Sequence, residues 1–220
     1  VLGALAQTDI RRLLGYLVIS GIGSMLAGLA IGTTPALAGT IFYAVHSILV
    51  MTALYMAAGV MRGLGGSYSL RELGGLYRAS PAFAAVFLML GFAVSGLPPF
   101  SGFWPKVLLV DAALVGGHGW IAASILVTGL LTTIAMGRVW IYAFWRGGAE
   151  GTADGQLTSV LVPAPGMTSA SIWLPIGLLL ALVVLLGVQP EFMMQVSGRG
   201  ASTLTEPLGY LRSVFGGAVQ

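Results

Sequence analysis

A lysine, Lys106, closes a stretch that runs from Gly91 as Gly-Phe-Ala-Val-Ser-Gly-Leu-Pro-Pro-Phe-Ser-Gly-Phe-Trp-Pro-Lys, with apolar sequence on both sides. An amine held in lipid costs at least ~2.5 kcal/mol on insertion scales, so such a residue is kept for a reason. In a desolvated place it can exchange a proton in the working range rather than stay permanently charged. The bland alternative is that Lys106 snorkels to an interface or pairs with Asp111. The adjoining helix breakers favour the chemical reading: Pro98, Pro99 and Pro105 donate no amide hydrogen, and Gly96 and Gly102 hold a helix weakly. A broken backbone survives in lipid only where protein or a water-filled cavity satisfies its freed polar groups, an arrangement found along ion pathways.

His46 is the second candidate, near the centre of an apolar run, with Tyr43, Ser47 and Thr40 as polar neighbours on its helix. Histidine titrates near neutrality and suits a relay. A lone helical histidine can equally be a satisfied interhelical hydrogen-bond partner, and spacing alone does not separate the two. Asp111 follows Lys106 by five residues, which places the two on different faces of one helix and leaves Asp111 free to meet a neighbour. Ser101, inside the break, and Thr133 complete the polar groups that fit a proton path. Thr133, with Thr132, Ser124 and Thr128, also reads as helix packing. Arg138 lies about two turns before Arg146, within reach of an interface.

Other chemistries find little support. No glycine-rich loop ends in lysine and serine or threonine, and Gly-Leu-Gly-Gly at 63–66 follows a helix rather than a strand. His46 and His118 lack carboxylates at ligand spacing, so neither a metal nor an organic cofactor is expected. The absence of cysteine removes disulfides and thiolate chemistry. No serine stands in a nucleophile elbow, so enzymatic catalysis is not expected.

The elements that position these residues follow from composition. Of 220 residues, 57% are hydrophobic and only 8% charged, with a mean hydropathy of +0.94, far from a soluble domain. We expect an all-α membrane protein, one polytopic bundle over 1–220 with about five crossings, one of them discontinuous, and a C-terminal interfacial helix. The 33 glycines and 10 prolines fit close helix contacts with deliberate interruptions. The ten scattered basic residues mark topology rather than a nucleic-acid surface. Val1 is not followed by a basic stretch and apolar core, so no signal peptide is expected, and the chain reads as a piece of something longer.

In order, spans are expected at 13–31, 36–60, 82–115 with a break at 98–105, 120–145 and 172–188. Loops lie at 62–80 and 147–168. The tail 189–220 repeats Leu204, Leu208, Leu211 and Phe215 at helical spacing and should lie along the membrane. Counting 82–115 as one interrupted crossing places Arg11, Arg12, Arg62, Arg71, Arg78 and Arg146 on one face, against Arg199 and Arg212 on the other. That asymmetry sets the first residues inside and the C-terminus outside.

Several runs resemble a known family. They are Ala4 to Tyr16 (Ala-Leu-Ala-Gln-Thr-Asp-Ile-Arg-Arg-Leu-Leu-Gly-Tyr), Tyr43-Ala-Val-His-Ser47, Leu73-Gly-Gly-Leu76 and above all Gly96 to Lys106. They are similar to the antiporter-like subunits shared by complex I and Mrp-type multisubunit cation/proton antiporters. The ending Leu204 to Gly216 looks like that of Mrp D-type subunits. The resemblance implies the C-terminal part of a larger subunit, in a prokaryotic cell membrane, beside other membrane subunits, moving protons and Na+ or another monovalent cation. It also implies that Lys106 belongs to a chain of buried titratable groups fed by His46. Many complex I members carry a lysine where Met51 stands here, which favours the Mrp branch. The rival readings are a proton-pumping subunit of complex I or a membrane hydrogenase, and a structural fragment without transport.

Overall fold

With so few polar side chains, a backbone in lipid must satisfy its own amides and carbonyls, and helices do so within one segment. The computed structural model describes residues 1–148, 150 and 170–205, and among these all regular elements are helical. They are α1 (Leu2–Ala6), α2 (Ile10–Ile31), α3 (Thr34–Gly65), α4 (Leu76–Ala79), α5 (Pro81–Ser95), α6 (Phe103–Val115), α7 (Gly119–Trp140), α8 (Ala170–Val188) and α9 (Glu191–Thr205). A π-helical turn, Ile141–Trp145, extends α7.

Four stretches are long and apolar enough to cross a membrane: Ile10–Ile31, Thr34–Gly65, Gly119–Trp145 and Ser171–Val188. At 15 and 13 residues, α5 and α6 each reach only ~20 Å, short of a ~30 Å hydrocarbon layer. Joined through their break they make the fifth crossing, as expected. At its centre is α3, which packs against α2, α5, α6, α8 and α9. Aromatic rings tie the bundle at one end, where Phe144 stacks with Trp140 and contacts Phe83 and Phe87, and Trp173 meets Phe83 edge-on.

The cations sort as the charge asymmetry requires. Arg11 and Arg62 both lie over the Tyr68 ring, and Arg146 Nη2 donates to the carbonyls of Leu70, Arg71 and Leu73. Arg71 pairs with Glu150, and Arg138 donates to the Leu5 carbonyl. The start of α2 and the ends of α3 and α7 therefore share one end of the bundle, which only a single interrupted crossing at 81–115 allows.

Three placements differ from the sequence expectation. Helix α3 runs on to Gly65 instead of yielding to a loop at Arg62, because Val60, Met61 and Leu64 remain buried against the core. The break is 96–102 rather than 98–105: Pro105 is the third residue of α6, where a helix has no use for the missing amide hydrogen. The tail forms a helix over Glu191–Thr205, and this helix does not lie along the membrane surface. It packs lengthwise and antiparallel on the first half of α3, with Thr205 against Thr34, Ala201 against Leu37 and Ala38, and Gly200 against Ile41. Ser197, Gly200 and Ala201 permit that approach. Leu208, Leu211, Arg212 and Phe215, and most of the loop 147–168, lie outside the described residues.

Candidate functional site

When α5 stops at Ser95, its last four carbonyls lose their helical partners. In a soluble protein water would take them; in lipid the protein must. Phe92 and Ala93 are served locally, through the amides of Gly96 and Leu97, with Gly96 in the left-handed region at φ 82°. Val94 and Ser95 are served by Lys106. Its Nζ donates to the Ser95 carbonyl at 2.5 Å and to the Val94 carbonyl at 3.4 Å. The ammonium of α6 thus caps the C-terminus of α5 across the break, where the helix dipole favours a cation.

The crossing helix α3 brings His46 to the same break. Its ring is buried, and Nδ1 lies 2.8 Å from Ser101 Oγ, itself fully buried. A hydroxyl can donate and accept, so it can follow either tautomer of the ring. Gly102 permits this fit: a side-chain carbon there would lie 2.9 Å from both Cε1 and Nε2 of His46. Gly96 at the start of the break lies against Lys106 and Gly102 at its end against His46, so both titratable groups border the same interruption.

The remaining expected residues take separate places. Tyr43 meets His46 ring-to-edge at 6.0 Å, and that ring contact joins the two without a side-chain hydrogen bond, since His46 Nδ1 is paired with Ser101. Thr40 donates to the Ala36 carbonyl one turn earlier. Thr133 donates to Gly129 of its own helix at 3.1 Å and lines a cavity of about 510 Å³ between α6 and α7. Lys106 and Asp111 line the same cavity, Lys106 on its floor beside Gly129 and Asp111 exposed on its rim. Asp111 has no ion pair among the described residues. Arg138 donates to the Leu5 carbonyl and lies over Tyr142. No cluster of metal-ligand type occurs among the described residues.

Sequence reasoning missed the Val94 and Ser95 carbonyls, because backbone groups carry no residue-type signal. It also missed the contact of α8 with the break. Position 104 offered one clue, since a tryptophan in an apolar interior needs an acceptor for its indole N–H.

The chain was compared with known proteins. The family described as NADH:quinone oxidoreductase/Mrp antiporter, TM, matches residues 1–132. The D-type Na(+)/H(+) antiporter subunit of Alkalihalophilus pseudofirmus is 37% identical over 215 residues, covering 98% of this chain and 42% of the relative. Among solved structures, one chain of the Mrp complex from a Dietzia species superposes with a TM-score of 0.83 at 27% identity, covering 98% of this chain and 46% of that one. A chain of respiratory complex I from Thermus thermophilus shares the fold, with a TM-score of 0.74 at 24% identity over 90% of this chain and 40% of that one. The chain thus spans about 42% of the length of the curated relatives that it matches most fully. On the family match, which covers well over half of it, the chain belongs to the NADH:quinone oxidoreductase/Mrp antiporter transmembrane family.

Proposed function

We propose that this chain is the C-terminal part of a D-type subunit of a multisubunit Na+/H+ antiporter, and that protons pass through its Lys106 and His46. It works as one transmembrane unit, with its arginine-rich end on the cytoplasmic side of a prokaryotic cell membrane and other membrane subunits beside it. Transport, not catalysis, is its task. The observation that carries the reading is the Lys106 amine bridging a helix break, bound to the Ser95 and Val94 carbonyls, with the His46–Ser101 pair in the same break. Backbone carbonyls hold the ammonium and Ser101 links the imidazole to the break, so a proton can be accepted at one station and released at the other. The 37% identity to an antiporter subunit favours this over a redox-driven pump.

The test uses the complete complex. Lys106→Ala should abolish Na+-dependent proton movement in everted membrane vesicles while the subunits still co-purify. Full exchange by the assembled variant would refute the role of Lys106, and co-purifying iron–sulfur subunits would move the chain to the oxidoreductase branch.

A further inference from the structure

The end of α8 is latched onto the break in a way that its sequence does not require. α8 ends at Val188, so the carbonyls of its last turn run out of helical donors, and in lipid they need others. The break supplies one of these and adds a second bond one turn earlier. The Trp104 indole N–H donates to the Gly187 carbonyl at 2.7 Å, and the Ser101 amide donates to the Val183 carbonyl at 3.2 Å. Val183 and Gly187 stand one turn apart, so the two bonds fix both the depth and the rotation of α8 against the break. The approach is as close as it can be: at Gly187 an added side-chain carbon would lie 2.7 Å from the Phe100 Cα and closer still to the Pro99 carbonyl.

Ser101 is the residue that this arrangement positions. Its amide is bound to α8 and its hydroxyl to His46 on α3, so its place is set from two helices at once. Trp104, three residues on and the second residue of α6, holds the same stretch of α8 through the Gly187 carbonyl.

We infer that Trp104 and Gly187 are positioning residues, which hold Ser101 at hydrogen-bond distance from His46 by clamping the last turn of α8 onto the helix break. The inference rests on the proton pathway proposed above. Neither residue touches the proton; each acts through Ser101. The clamp also gives α8 a part in transport that its wholly apolar sequence does not announce.

The experiment is a double-mutant cycle in the complete complex, read as Na+-dependent proton movement per assembled complex in everted vesicles. Trp104→Phe, which keeps an aromatic ring and loses the N–H, should lower the maximal rate about fivefold, the scale of one hydrogen bond. The half-saturating Na+ concentration should stay unchanged. Ser101→Ala should do the same, and the double variant should be no slower than Ser101→Ala alone. Gly187→Ala, which pushes the carbonyl away from the indole, should reproduce this pattern where Trp104→Phe fails to assemble. Multiplicative losses in the double variant, or wild-type rates in assembled Trp104→Phe and Gly187→Ala, would overturn the inference. Failure of both single variants to assemble would make the contact purely structural and overturn it as well. Exchange that survives Lys106→Ala is a different result, and removes the pathway rather than the clamp.

Discussion

Lys106 Nζ, in the second turn of α6, donates to the backbone carbonyl of Ser95, the last residue of α5, at 2.5 Å. One amine thereby serves two ends: it completes the hydrogen bonding of an interrupted helix inside the membrane, and it is the titratable group nearest that interruption. Substitutions can separate them.

Lys106→Arg keeps a cation and its donors but cannot release a proton at any working pH. The cavity between α6 and α7 has room for the longer head group. We expect the variant to assemble with thermal stability close to wild type and to lose Na+-dependent proton movement in vesicles. Lys106→Met should still assemble but lose transport and unfold at a lower temperature, since it leaves the Val94 and Ser95 carbonyls unpaired at a cost of about 1–3 kcal/mol each. Transport by the arginine variant would mean that the amine is a cap and nothing more.

Gly96 sits at φ 82°, where a side chain is strained, and an added carbon would lie 2.7 Å from Lys106 Nζ. Gly96→Ala should therefore cost about 1–3 kcal/mol from the backbone alone and displace the amine from its carbonyls. The expected outcome is a lower unfolding temperature of the purified complex together with slowed exchange. A variant that is less stable but exchanges at full rate would show that the amine tolerates displacement.

How far the sequence led depended on whether the signal lay in residue types or in packing. Pro98, Pro99 and Gly96 announce a break by their own chemistry, and Lys106 announces itself by its cost in lipid. The pairing of His46 with Ser101 joins residues 55 apart in sequence; each was a candidate, but their contact depends on how α3 crosses the break. Pro105 looked like part of the interruption because proline tolerance in the first turn depends on where the helix starts. The placement of α9 was illegible for another reason: apolar residues at helical spacing fit a membrane surface and a neighbouring helix equally well. Ser197, Gly200 and Ala201 decide in favour of the neighbour.

Asp9 gives a pH dependence outside the membrane-spanning segments. Burial raises its carboxyl, but hydrogen bonds from the Arg11 side chain and the Arg12 and Arg11 amides, with the Arg11 charge, outweigh this and hold it below the usual carboxylate range. A group lowered on folding stabilises fully above its unfolded value and loses that contribution as pH falls through the folded one. The start of α2 should therefore weaken only below the ordinary aspartate range. Asp9→Ala should remove about 1 kcal/mol at neutral pH, as for a lost helix cap, and little in strong acid. Amide hydrogen exchange at residues 10–13 across that range measures it, and an unchanged difference between the two proteins at low pH would contradict the assignment.

Arg146 closes the arginine-rich end of the bundle. Its Nη2 reaches the carbonyls of Leu70, Arg71 and Leu73, its own carbonyl accepts from the Gly75 amide, and Tyr142 lies 5.2 Å beneath the guanidinium. This binding reads the loop after α3 through its backbone, and all of it converges on Nη2, so it depends on where the long, flat side chain stacked on Tyr142 places that one nitrogen. Arg146→Lys keeps the charge but loses the flat guanidinium that stacks on the tyrosine, and its shorter reach moves the nitrogen away from the three carbonyls. We expect a loss of about 1–3 kcal/mol, felt as faster proteolysis between Gly66 and Gly75 in vesicles whose arginine-rich face is accessible. Exchange per assembled complex should stay near wild type, because the Arg146 contacts lie at the opposite end of α5 from the break. A lysine variant with unchanged proteolysis but impaired exchange would reverse that assignment and couple this end of the bundle to Lys106.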